Sequence, residues 1–277
     1  MKTVVITGGT SGIGRALAHT CLDRGDQVVV VAPNPAKGEA FLDRARQAGA
    51  GDRAHFIQAD LSLVAETRRV VAEIAGKFPV VDALVLCARY FRSHRAVTAE
   101  GFEHNFALYY LSRYVIGYGL VDQLDRAANP VVVNVAGPGV VKEGVRWDDL
   151  QLERDYDGWA SMEHGGRLSD LLGVSFAGQG HRARYVLLFP GGISTEFAGE
   201  FDPASAVTAE EKKRAGDPVE SSIPRIVDHI DSPPREPLSA FMEDTRLEIT
   251  GEAFDRDAAA RLADITRDLL RDKLGVS

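Results

Sequence analysis

Two kinds of apolar pattern alternate along the chain. Short β-branched runs at Val4–Thr7, Val28–Ala32, His55–Ala59, Ala83–Cys87, Pro130–Ala136 and Tyr185–Phe189 read as buried strands. Between them, apolar positions recur at helical spacing over residues 13–24, 36–48, 62–77, 97–125 and 163–178. Runs such as Gln27–Ala32 are apolar at successive positions, which suits strands covered on both faces. Regular strand–helix alternation predicts an α/β protein with a doubly wound parallel sheet, right-handed crossovers and helices on both faces. After Phe189 the alternation stops. Residues 190–237 are rich in Pro, Gly, Glu and Lys and have room for two short helices. Leu238–Met242 and Arg246–Ile249 flank Glu243-Asp244-Thr245 as a hairpin-like edge. Residues 255–273 close the pattern as an amphipathic helix, with Ala259, Leu262, Ile265, Leu269 and Leu270 on its apolar side.

Composition narrows the function classes. The 277 residues carry 32 Lys+Arg against 40 Asp+Glu, a formal charge of −8. That balance argues against a nucleic-acid or anionic-membrane partner, because little is present in bulk to neutralise phosphates. Cys21 and Cys87 are far apart in apolar settings, which fits a reducing, cytoplasmic location rather than a disulfide framework. No apolar run reaches the ~18 residues of a membrane span, and Lys2 leads straight into a strand rather than a signal peptide. No Cys/His/Asp spacing suggests a metal site, and no Gly-x-Ser-x-Gly elbow suggests a hydrolase.

The strongest local signal is Thr7-Gly8-Gly9-Thr10-Ser11-Gly12-Ile13-Gly14, placed directly after the first strand and opening the first helix. Glycines there permit a tight turn and a close approach of backbone to a pyrophosphate, which the free N–H groups of the helix start then face. With this loop the chain resembles the short-chain dehydrogenase/reductase family, whose Gly-x-x-x-Gly-x-Gly is matched by Gly8, Gly12 and Gly14. The resemblance extends along almost the whole chain. It places Asp60-Leu61 at the adenine, Asn105 as the kink of the long fourth helix, and Pro190-Gly191-Gly192-Ile193-Ser194-Thr195 as the element whose threonine holds the nicotinamide carboxamide. Ser239 to Leu270 resembles the retinol-dehydrogenase-like branch. Residues 1–277 are accordingly expected to form one NAD(P)-binding Rossmann-type domain with a substrate lid near 196–222. Family members often pair through their fourth and fifth helices, so a homo-oligomer is compatible with the resemblance.

The end of the second strand addresses which nicotinamide cofactor binds. An acidic residue there would hold ribose hydroxyls and repel a 2′-phosphate. Here Ala32-Pro33-Asn34-Pro35-Ala36-Lys37 has no carboxylate before Glu39. Thr10, Ser11, Asn34 and Lys37 are candidate contacts, and NADP(H) is favoured over NAD(H). The family's Asn-Asn-Ala-Gly is altered to Leu86-Cys87-Ala88-Arg89, with Cys87 and Ala88 still expected beside the cofactor.

The family's catalytic Ser and Tyr-x-x-x-Lys are missing. The serine pair aligns with Ala136 and Gly137. Matching the helix after it gives Glu163 and Arg167 at the Tyr and Lys sites in one register, Met162 and Gly166 in another; neither supplies a tyrosine. Asn105, Glu163, His164 and Arg167 are the remaining catalytic candidates; His164 has a suitable ordinary pKa of about 6.5. Large side chains at Tyr90, Phe91, Tyr156, Trp159, Phe197 and Phe201, with Ser93, would suit a flat polycyclic aromatic substrate. This pattern is similar to atypical ketoreductases of aromatic polyketide (antibiotic) biosynthesis, the simocyclinone-type angucyclinone ketoreductases. Such an enzyme would reduce a ketone polarised by its own neighbouring hydroxyl. Two other readings stay open: an NAD(P)-binding sensor or partner protein without turnover, and a redox-neutral cyclase on the same frame.

Overall fold

A computed structural model describes residues 1–139 and 144–275. Ten strands form, which we number in chain order: β1 (Thr3–Thr7), β2 (Gln27–Ala32), β3 (Ala54–Gln58), β4 (Ala83–Leu86), β5 (Phe91–Arg92), β6 (Val131–Val135), β7 (Arg184–Phe189), β8 (Gly199–Glu200), β9 (Leu238–Met242) and β10 (Thr245–Arg246). Eight of them make one sheet in the order β10-β9-β7-β6-β4-β1-β2-β3, parallel throughout except for the β9–β10 hairpin. The fold is the expected α/β Rossmann type. The order reverses between β1 and β4, and ligands of such sheets bind in the crevice beyond the carboxyl ends of strands at that point.

Alternating strand residues feed two cores. Val4, Ile6, Val28 and Val30 pack on one face with α1 (Gly12–Asp23), α2 (Pro35–Gln47) and α9 (Ile223–Asp231). Val5, Val29 and Val31 pack on the other with α3 (Val64–Lys77), α5 (Ser112–Gly119), α7 (Gly158–Gly178) and α10 (Arg256–Leu274). All seven of those valines and isoleucines are fully buried. Each such side chain removed from water contributes on the order of 1.5–3 kcal/mol before chain entropy is counted.

Two helices differ from their expected bounds. The segment expected to be helical from 97 opens instead as a turn, in which Thr98 N–H donates to Phe102 O, and Gly101 takes a positive φ of 78°. Helix begins only at α4 (His104–Phe106), because the Glu103 carboxylate caps it by accepting from the N–H groups of Asn105 and Phe106. It then widens into a π turn over Ala107–Leu111 before α5, with α6 (Val121–Asp125) after it. Conversely α7 starts earlier than 163, since the Asp157 side chain accepts from Ala160 N–H and caps the helix there. Glu163 and His164 are thus not first-turn residues. Among the described residues no helix is long and apolar enough to cross a membrane, and no cluster of His, Cys, Asp or Glu suits a metal.

Candidate active site

The glycine loop is built as a close crossing of backbones. A Cβ on Gly14 would lie 2.5 Å from Gly8 O, and one on Gly8, at φ 70°, would lie 2.8 Å from Ala88 Cα. Ser11 stands at the N-cap of α1 without using its hydroxyl to cap, and no acidic residue occupies the first turn. The N–H groups at this helix start are therefore free for an anion. Thr195 faces the loop: a Cβ on Gly12 would meet Thr195 Cγ2 at 3.2 Å. These features fit a dinucleotide whose pyrophosphate lies across the helix start.

A cavity of about 570 Å³ opens from this loop. Gly8, Ser11, Gly12, Ile13, Gly14 and Cys87 line one end, and Pro190, Gly191, Ile193 and Thr195 line the next stretch. Trp159, Met162, Glu163 and Gly166 present one face of α7 to it. Their spacing is the i, i+3, i+4, i+7 row of a helix, so Met162, Glu163 and Gly166 face the cavity and Arg167 does not. No tyrosine or lysine occurs anywhere in α7. Phe197 comes from residues 196–222, the insertion expected to act as a lid, and Lys212 and Lys213 come from α8 (Pro203–Ala215). A larger groove of about 960 Å³ lies outside α1 and α2, lined by Thr10, Arg15, His19, Lys37 and Arg44 among others. It shares Gly12 and Glu196 with the cavity but contains no part of the α7 face.

Several expected site residues are placed elsewhere. His164 is buried away from the cavity, and its Nε2 accepts from Arg146 N–H. Burial, with Arg146 nearby, pulls its pKa down to about 4, so it is a neutral structural group near pH 7. Arg167 is also buried off the cavity, beside Asp170, Glu252 and Asp255. Asn105 is buried in a polar knot, where its Nδ2 donates to Tyr156 Oη at 3.3 Å and Ser161 Oγ at 3.2 Å. Tyr156 in turn donates toward Arg92 O and Glu103, which occupies the hydroxyl as a tie between segments. Glu163 is exposed and lines the cavity.

The aromatic residues divide likewise. Trp159 and Phe197 line the cavity. Phe91 is fully buried beneath them, 4.5 Å from Trp159 and stacked on Phe201 at 4.9 Å between ring centroids. Phe91 and Phe201 thus support the wall rather than meet a ligand. Tyr90 packs edge-on to His104, and Ser93 Oγ accepts from Asp202 N–H at 2.8 Å, which ties down the insertion. On the adenine side, Asn34 is engaged as the N-cap of α2, accepting from Lys37 N–H at 3.0 Å. Asp60 accepts from Ser62 N–H and Oγ–H, Leu61 lies in the core, and Ala88 donates to Thr7 Oγ1; none of the three lines the cavity. Burial raises the Cys87 thiol to about 12, so it stays protonated at the cavity wall.

Arg89 and Tyr109 reach the cavity without having been singled out from the sequence. The signals were there. Arg89 replaces the glycine of the family's Asn-Asn-Ala-Gly, and Tyr109 stands four residues, about one turn, after Asn105. Arg89 is exposed by area, yet protein surrounds its guanidinium closely enough that desolvation lowers its pKa. We take it as a cation facing the cavity from the wall, stacked 4.0 Å over the Phe197 ring.

A family model described as short chain dehydrogenase matches residues 2–147. The chain belongs to the short-chain dehydrogenase family. Among curated relatives, an NmrA-like family domain-containing oxidoreductase of Aspergillus sp. is 30% identical over 194 residues, 68% of this chain and 59% of its own. Retinol dehydrogenase 13 of Mus musculus is 27% identical over 157 residues, 56% of this chain and 47% of its own. The chain spans about half to three-fifths of the length of such relatives. Of solved structures, one from Mycobacterium paratuberculosis superimposes with a TM-score of 0.71 at 18% identity, covering 98% of this chain and 94% of that one. A putative short chain dehydrogenase of Escherichia coli CFT073, complexed with NADPH, gives 0.66 at 14% identity, covering 88% and 97%.

Proposed function

We propose that this chain is an NADPH-preferring ketoreductase acting on a flat, polycyclic aromatic ketone of the angucyclinone polyketide kind. The observation that carries this reading is one cavity uniting the glycine loop, the Pro190–Thr195 element and the aromatic walls Trp159 and Phe197. Gly12, Ile13 and Gly14 would hold the pyrophosphate by backbone N–H groups, and Thr195 the carboxamide. The bound cofactor supplies a hydride. The chain's own work is to orient a planar ligand between aromatic faces, exclude water with the insertion, and stabilise charge on the reacting oxygen. The usual helix tyrosine is absent from α7, so a substrate hydroxyl beside the ketone would share in the polarisation.

The preference for NADPH rests on charge. No carboxylate stands at the end of β2, and Lys37, Arg15 and Arg44 line the adjoining groove with Thr10. Lys37 Nζ lies 3.9 Å from Glu196, both exposed, a pair weak enough to yield to a phosphate. The experiment is to mix the protein with NADPH and a panel of hydroxylated quinones and aromatic ketones while following cofactor absorbance. Ketone-dependent oxidation supports the reductase. Binding without oxidation would favour a sensor, and a product of unchanged oxidation level a cyclase.

A further inference from the structure

Two arginines lie at the cavity, Arg89 in its lining and Arg113 buried behind it, and neither forms an ion pair among the described residues. Arg89 makes no ion pair or hydrogen bond among the described residues; its partner is the face of Phe197. Arg113 is buried under the floor and meets only neutral groups: Asn134 Oδ1, Val135 O and Ala88 O. Its Nε finds no acceptor at all. Asn134 passes the chain on to Tyr185 Oη at 2.9 Å, again a neutral group. Unbalanced cations in a partly desolvated site are costly unless an anion arrives there.

Tyr109 is a phenol in the same lining as Arg89. Arg113 Cζ lies 4.1 Å over its ring centroid. The ring is seated by two local departures from regular packing. Tyr109 belongs to the π turn Ala107–Leu111, a feature frequent at functional sites because the extra residue re-aims side chains. Opposite it α7 has Gly165, where a Cβ would come within 2.7 Å of Tyr109 Cδ1. At the neighbouring position, Gly166 leaves open space.

We propose that Tyr109 is the proton donor to the substrate oxygen, with Arg89 and Arg113 balancing the negative charge that forms. This rests on the ketoreductase reading above. Reduced nicotinamide would supply the hydride for a new C–H bond at the carbonyl carbon, its own C4–H bond breaking as it is oxidised. The C=O π pair moves to oxygen, which takes the Tyr109 Oη proton and becomes the alcohol hydroxyl. The phenolate left on Tyr109 is stabilised by the positive charge of the two guanidinium groups nearby and regains a proton from water. Arg89 touches the substrate side of the cavity, while Arg113 acts through the Tyr109 ring as a positioning residue.

The test uses the full chain and two variants. Tyr109→Phe keeps the ring that packs on Gly165 and Arg113, so it removes the hydroxyl alone. Arg89→Met keeps most of the stem. NADPH binding is read from the fluorescence of the reduced nicotinamide, and turnover from its oxidation by the best ketone of the panel. Tyr109→Phe is expected to bind NADPH as the parent does and to lose kcat on the order of a hundredfold. Arg89→Met is expected to lose roughly as much. Parent-like turnover in Tyr109→Phe overturns the tyrosine while leaving the ketoreductase standing. No ketone turnover by the parent, with NADPH bound, overturns the ketoreductase and removes the reaction Tyr109 would serve.

Discussion

Two buried titratable groups on α7 pull the pH dependence of stability in opposite directions. Burial raises the Asp170 carboxyl to about 7, against the Gly139 N–H and Arg167 that favour its charge. The folded chain therefore keeps that proton where the unfolded chain, with a carboxyl near 3.9, has released it. Its contribution is complete below the unfolded pKa and is lost as pH rises through about 7. His164 works the other way. Its pKa is lowered to about 4, so the unfolded chain binds the extra proton and stability falls as pH drops from about 6.5 toward about 4. Between those limits the two slopes oppose each other. Asp170→Asn is expected to remove the loss toward neutral pH, worth on the order of 4 kcal/mol, and to expose the histidine slope alone. Urea unfolding across that range checks it; an unchanged pH profile would contradict it. Because His164 is turned away from the cavity, His164→Gln is expected to leave ketone turnover near the parent rate, and a large loss would contradict that placement.

At the scale of elements, the strands and most helices were legible because apolar period and burial coincide: β2, and β6 apart from Asn134, are apolar at successive positions and are buried on both sides. The glycine loop was legible because three glycines follow a strand directly. A Gly14→Ala Cβ would meet the backbone oxygen of Gly8 at 2.5 Å, and backbone yields little. That variant is expected to lose 1–3 kcal/mol of stability, or about that much cofactor affinity, as overpacked sites do; NADPH titration and thermal melting read both. The active cavity was much less legible. Tyr109 in Leu108-Tyr109-Tyr110-Leu111 looks like its neighbour Tyr110, which is core and hydrogen-bonds Thr266 at 2.7 Å. What separates them is the π turn and Gly165, neither written in the local pattern. The caps at Glu103 and Asp157 moved two helix starts, and with them the faces that α7 presents. His164 and Arg167 looked catalytic only while the helix register was open. Gly165→Ala pushes on the Tyr109 ring and is expected to lower kcat with little change in NADPH affinity, if Tyr109 reacts as proposed.

At the scale of the whole molecule, the insertion is stitched rather than free. β5 and β8 pair in parallel, with Phe91 N–H donating to Ala198 O and Ser93 N–H to Glu200 O. Arg92 pairs with Glu200, and His94 Nε2 lies 3.4 Å from the same carboxylate. The far end is fastened where Ser194 N–H donates to Asp217 O and Asp217 N–H to Gly192 O. Fastening at both ends keeps Phe197 near Trp159 while α8 brings Lys212 over the indole, 5.3 Å from its centroid. Glu200→Ala removes one stitch in a half-exposed place, so its effect is modest: KM for the ketone is expected to rise about two- to fivefold, with NADPH affinity unchanged. Faster proteolysis near residues 196–216 would accompany it. An unchanged KM would show that the cover does not depend on that pair.

Hydride delivery inside this cavity is open to a direct reading. NADPH dideuterated at C4 of the nicotinamide would be incubated with the protein and a hydroxylated aromatic ketone, and the product examined by mass spectrometry. Deuterium on the new carbinol carbon is expected, from the parent chain and far more slowly from Tyr109→Phe. A product without label, or no product while the cofactor is bound, would contradict hydride transfer at this site.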